Sequence, residues 1–176
     1  MTHTLLEPCP GCGALLPPNN GPTHRYLGAS AACWALYSAL TGAGEPPLAA
    51  NPLKVLLVDA YAAQHPGTPS DQATQSVAVH LLALYGVLVR RMPPEKALWI
   101  RQRAVRLQGQ PKHNRFVWLT PPSFSGSLTI ADIVEAPTPS ARSERVVAYI
   151  HCVWEIWATD HTGTIARWYD LFVEGD

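Results

Sequence analysis

The sequence has no surplus of either charge: Lys+Arg and Asp+Glu number 13 each in 176 residues, so the formal net charge is zero with histidine neutral. Without a basic excess there is nothing to neutralise a phosphate backbone or an anionic lipid surface, which argues against nucleic acid and membrane as partners. Charge itself is scarce, at 15% of residues against roughly 25% in an average soluble domain. With 47% of residues hydrophobic, much of the chain must be buried or must cover another subunit, and a homo-oligomer is one expectation. No apolar run reaches the roughly 20 residues of a membrane span. The stretch 77–89 is interrupted by His80, Tyr85 and Gly86. Residues 1–20 lack a basic n-region and an apolar h-region, so a secretory signal is not expected and the expected compartment is the cytoplasm. Also missing are G-x-G-x-x-G, G-x-x-x-x-G-K-[ST] and H-E-x-x-H, which removes the standard nucleotide and zincin signatures. Gly28-Ala29-Ser30-Ala31-Ala32 is only a loose echo of a nucleophile elbow, because no apolar strand precedes it; Ser30 reads better as a helix N-cap.

What the chain does have is punctuation. Its 17 prolines and 12 glycines cut it into segments, since proline ends helices and restricts its predecessor while glycine permits turns. The length suits one domain over 1–176. Residues 1–29 read as an irregular cap. Ser30 caps a short helix over Ala31–Thr41 with Gly42 as its stop. Asn51-Pro52 opens a run to Gln64, with Leu57, Tyr61 and His65 at four-residue spacing before Pro66. Ser70 or Asp71 caps a helix to about Arg91, on which Val77, His80, Leu81, Leu84 and Leu88 form an apolar stripe. Pro93-Pro94 opens another, to about Leu107, whose Arg101, Arg103 and Arg106 read as a solvated basic face. Residues 108–128 are an extended loop or a hairpin, with Phe116–Thr120 and Ser127–Thr129 as the candidate strands. Thr129-x-x-Asp132 starts a one- to two-turn helix, and Pro139-Ser140 opens a last helix, kinked or split at Gly163, whose Trp154, Trp157 and Trp168 read as core. The expected fold is mainly α: a helical bundle of segments 30–107 and 129–173 with a zinc-stapled N-terminal cap and room for a small hairpin.

The sharpest chemical signal is Cys9-Pro10-Gly11-Cys12-Gly13. Two thiolates two residues apart, with glycines beside them, can turn both sulfurs to one cation, and a reducing compartment favours metal ligation over a disulfide. Tetrahedral zinc requires four ligands, and His24 and Cys33 complete the spacing C-x2-C-x11-H-x8-C, with His65 the rival to His24 for the fourth place. Cys33 near a helix N-terminus has a dipole favouring the thiolate. A redox pair is the other reading, but the βαβ setting of such pairs is absent around Cys9. A closed three-Cys, one-His site is normally structural.

His65, His80 and His161 sit in apolar settings on separate expected helices, where bundle interiors bring side chains together. With Asp160 or Asp59 adding a carboxylate, they could hold a second divalent metal whose bound water is activated for hydrolysis. A histidine on an apolar face also serves simply as a hydrogen-bonded core residue.

CPGCG (9–13), GPTHRYLGAS (21–30), CWALY (33–37), VDAYAAQHPG (58–67) and QSVAVHL (75–81) together resemble a family of uncharacterised bacterial proteins. The resemblance implies that Cys9, Cys12, His24, Cys33, His65 and His80, with Asp59 and Gln64, occupy the family's recurrent motif positions. The last helix, with His161, is similar to metal-binding bundles of the DinB-like type. It lacks their late H-x-x-x-H pair, having Trp157 four residues before His161.

The leading expectation is therefore a zinc-binding metalloprotein with a His-lined pocket that hydrolyses a small neutral substrate. The rival is a non-catalytic zinc-stapled module for protein interaction or self-association. A third is thiol redox chemistry at the cap.

Overall fold

A computed structural model describes residues 5–42, 51–108 and 115–175. The chain is mainly helical, as its punctuation predicts. Two short antiparallel strands, β1 (Glu7–Pro8) and β2 (Leu15–Leu16), pair Glu7 with Leu16 and Pro8 with Leu15. They are followed by α1 (Ala31–Thr41), α2 (Leu57–Gln64), α3 (Asp71–Leu88), α4 (Ala97–Leu107), α5 (Ile130–Val134) and α6 (Pro139–Tyr169). A hairpin thus lies in the cap, and none occurs among the described residues of 108–128; residues 109–114 lie outside the described residues. The described part of that segment is extended without strand pairing, because its Pro121 and Pro122 offer no N–H to a ladder.

Local chemistry sets the helix ends. Ser30 accepts from Cys33 N at 3.2 Å and Ser70 from Ala73 N at 3.1 Å, each satisfying an amide that the first turn leaves without a partner. Asn51 caps a single 3-10 stretch, Pro52–Leu56, which passes directly into α2. Pro94–Lys96 leads into α4 in the same way. The Thr129 amide donates to the Asp132 carboxylate at 2.7 Å, as the capping-box spacing predicts. Gly42 ends α1 with φ −72°, so it stops the helix in an extended rather than a left-handed conformation.

Gly163 neither kinks nor splits α6. It sits on the exposed face, and a run of 31 residues continues through it, about 46 Å at 1.5 Å per residue. The opposite face carries Tyr149, Ile150, Val153, Trp157 and Ile165, all fully buried, with Trp154 and Trp168 nearly so. The helix closes in a π turn, Asp170–Glu174.

Helix α3 is the centre of the packing, touching α2, α4 and α6. Its Leu81, Leu82, Ala83 and Leu84 are inaccessible to solvent on all sides, which is why its apolar stripe is wider than one face. Two of the three arginines of α4 are used internally rather than solvated. Arg101 reaches into the bundle to Asp59, and Arg103 Nε donates to Val173 O at 2.7 Å, holding the π turn.

No helix among the described residues is long and apolar enough to cross a membrane.

Candidate metal centre

The β1–β2 hairpin encloses CPGCG. The Cys9 amide donates to Ala14 O at 2.9 Å and the Gly13 amide to Cys9 O at 2.8 Å, with Gly13 at φ +74°. This tight turn presents Cys9 and Cys12 side by side. Cys33 is brought to them by the first turn of α1, where the Ser30 cap fixes the register. The fourth side chain, His65, stands at the C-terminal end of α2.

That end of α2 is held by contacts from three directions. Trp157 Nε1 donates to Ala63 O at 3.0 Å, Tyr149 Oη donates to Gln64 Oε1 at 2.9 Å, and Gln64 Nε2 donates to Leu128 O at 2.8 Å. The Gly28 amide donates to His65 O at 3.1 Å, tying the cap to the same turn. The position of His65 is therefore set by α6 and by the segment before α5, far from it in sequence.

Cys9, Cys12, Cys33 and His65 bring one ligand atom each within 4.8 Å of the other three, and all four residues are buried. The Cys12 and Cys33 sulfurs are 3.9 Å apart, and Cys33 Sγ lies 3.4 Å from His65 Nε2. A tetrahedral ion with Zn–S near 2.3 Å and Zn–N near 2.0–2.1 Å has S···S edges of about 3.8 Å and S···N edges of about 3.5 Å, so the spacing suits such an ion. The surroundings suit it as well. His65 Nδ1 donates to Tyr61 O at 2.8 Å, which fixes the tautomer and turns the Nε2 lone pair inward. The Ser30 amide donates to Cys9 Sγ at 3.3 Å, and Tyr61 Oη donates to Cys33 Sγ at 3.6 Å.

Electrostatics point the same way. Hydrogen bonds from Cys12 and Cys33 hold the Cys9 thiol far below its ordinary range. Hydrogen bonds with Cys12 and Cys9, together with burial, push the Cys33 thiol up. Burial would lower the His65 imidazole, but its hydrogen bonds with the Cys12 and Cys9 sulfurs outweigh this and bring it up to about 9. Without a cation, these sulfurs compete for too few protons in a dry site; a divalent cation relieves that competition and displaces the protons that remain.

Gly11 has no room for a side chain. A Cβ there would stand 2.5 Å from His65 Cδ2, 2.9 Å from Gly28 O and 3.0 Å from Gln64 O. Gly11→Ala is expected to lower metal affinity at least about tenfold, the scale on which misoriented ligands act, and competition with a coloured chelator measures it.

The structure assigns the predicted residues differently from their spacing. Cys9, Cys12 and Cys33 come together, but the fourth member is His65, not His24. His24 packs its ring on Tyr26 and Trp34, with centroids 4.5 and 5.0 Å away, and its buried Nδ1 has no hydrogen-bond partner. Nor do His65, His80 and His161 converge: no group of three or more candidate ligands besides the tetrad occurs among the described residues. His80 Nδ1 donates to Asp59 Oδ1 at 2.8 Å, and His161 Nε2 donates to Thr120 O at 2.8 Å. Asp160 is exposed to solvent. The residues that sequence reasoning missed are Tyr61, which touches two of the four ligands, and Arg101, which faces Asp59. Neither belongs to a ligand spacing, so only the four-residue step from Tyr61 to His65 hinted at the first.

A family model matches residues 7–158. The chain belongs to the DUF5946 family, described as a family of unknown function. The DUF5946 match takes in all four members of the tetrad and agrees with the resemblance to an uncharacterised family; it does not extend to bundles of the DinB-like type. No curated protein and no solved structure matches the chain significantly.

Proposed function

We propose that this protein binds one zinc ion through Cys9, Cys12, Cys33 and His65, and that the ion is structural, fastening the cap to α1 and α2. The observation that carries the reading is the closed, buried tetrad: three sulfurs and one imidazole nitrogen within 4.8 Å of one another. Thiolates select zinc over magnesium or calcium, and four protein ligands leave no position for a water to be activated. A hydrolytic second metal on His65, His80 and His161 is not supported, because His65 belongs to the tetrad while His80 and His161 are hydrogen-bonded elsewhere.

Elemental analysis of the purified protein tests the reading, with one zinc per chain as the expected result. Cobalt substitution should give the absorption of a tetrahedral sulfur-rich site. His65→Ala should cost more affinity than the about 10–100-fold lost with an outer hydrogen-bond partner. His24→Ala should keep the metal. The reverse pattern would return the fourth place to His24.

A further inference from the structure

His24 and His80, left outside the tetrad, line a common cavity. It measures about 220 Å³ and lies among the cap, α1, α2 and α3, with Trp34, Tyr37 and Tyr61 in its walls. A neighbouring hollow shares Tyr26, Ser76 and His80 with it.

The polar side of the cavity is built rather than incidental. Asp59 has no solvent exposure and receives His80 Nδ1 at 2.8 Å and Arg101 Nη1 at 2.8 and 2.6 Å. A carboxylate flanked by a guanidinium is an acceptor only, so in the uncharged form of His80 the proton sits on Nδ1. Nε2 is then left as a lone pair with no protein partner among the described residues. Behind His80, Arg101 balances the charge of Asp59. Across the cavity, His24 presents the buried Nδ1 that lacks a partner. Burial lowers the His24 pKa, and His80, when it carries a proton on both nitrogens, lowers it further.

The aromatic side is a cluster of three rings. Tyr37 stacks on Tyr61 with centroids 4.0 Å apart and planes 15° from parallel, and Trp34 leans on Tyr37 at 5.5 Å and 32°.

We propose that this cavity binds a small, planar, uncharged ring compound bearing an O–H or N–H group, with the ring against Trp34 and the Tyr37–Tyr61 pair and the donor on His80 Nε2. The volume is below the about 300–1,000 Å³ of sites for drug-sized ligands, which limits the occupant to one ring or two fused rings. An anionic ring would set its carboxylate against the His80 lone pair. A quaternary ammonium suits an aromatic wall but offers His80 no proton, and the one nearby carboxylate is already matched by Arg101.

The test uses the full metal-loaded chain and phenol as the probe, with anisole, benzoate and tetramethylammonium as comparisons, read by the indole N–H shift of Trp34. Phenol should give a saturable shift, with anisole at least tenfold weaker. His80→Phe keeps a ring but removes the acceptor, and should weaken phenol to the level of anisole. Trp34→Leu keeps the acceptor and should weaken phenol and anisole alike, so the proposal stays open to refutation if His80→Phe does not fold. No saturable shift with phenol, equal binding of anisole, or tighter binding of benzoate or tetramethylammonium would each overturn it. Metal content is measured in every sample. A metal-free preparation that still binds phenol would count against the zinc reading and not against this one.

Discussion

Replacing Cys9 and Cys12 together by serine should strip the protein of its metal and lower its melting temperature by about 10 °C. Serine hydroxyls do not ionise near neutral pH and make no bond to zinc comparable with a thiolate. The described cap, residues 5–29, has only two strands of two residues each, so its own hydrogen bonds cannot hold it. On the reading proposed above the metal-loaded tetrad docks it, with Cys9, Cys12 and Cys33 at 2%, 2% and 1% exposure and His65 at 0%. Isolated zinc fingers derive about 10–16 kcal/mol of apparent binding energy from the metal, but here most of the buried core lies in the helices, outside the cap. A loss of about 4 kcal/mol is expected instead, within the 2–5 kcal/mol range for removal of a covalent staple. At 2–4 °C per kcal/mol for a chain of this size, that gives the stated shift. Thermal melts by circular dichroism and limited proteolysis of the cap measure it. An unchanged melt with full metal content would show that the cap is held by something else.

Asp59→Ala should be strongly damaging although it lies away from the tetrad, costing about 3 kcal/mol or somewhat more. The side chains of Arg101 and His80 are 19% and 17% exposed, so neither can turn freely to water once its acceptor is gone. Most of the cost is the cation left buried without its anion, not the worth of the pair itself. This makes a second result predictable. The double variant Asp59→Leu/Arg101→Met, which removes both charges and keeps the volume, should recover most of what Asp59→Ala loses. Denaturant unfolding of the three proteins decides it. If the double variant is as unstable as the single, the pair supports the fold in a way that charge balance does not explain.

The helices were legible because their signals are local. Ser30, Asn51, Ser70, Thr129 and Pro139 lie where caps and first turns belong, and each marks a real helical start. The three cysteines were legible for the same reason, through a two-residue spacing and a helix start. His65 was ranked behind His24 because spacing favours the nearer residue. What places His65 is tertiary: Trp157 on Ala63, Tyr149 on Gln64 and the Gly28 amide on its own carbonyl. Arg101 was misread because a basic face looks the same in sequence whether it meets water or a buried carboxylate 42 positions earlier. Hydrophobic pattern leaves 108–128 as a loop or a hairpin, whereas the turn at Gly13 forms the hairpin around the cysteines.

Tyr61 belongs to the metal centre and the cavity at once. Its carbonyl holds His65, its hydroxyl reaches Cys33, and its ring is one wall of the space where Tyr37 stacks. A side chain shared in this way gives the two sites a physical route for coupling. Any factor by which the ion alters affinity for an occupant of the cavity must be returned by that occupant to the ion. A small molecule seated there would then tighten or loosen the hold on the metal, and metal affinity would report on a ligand the ion never touches.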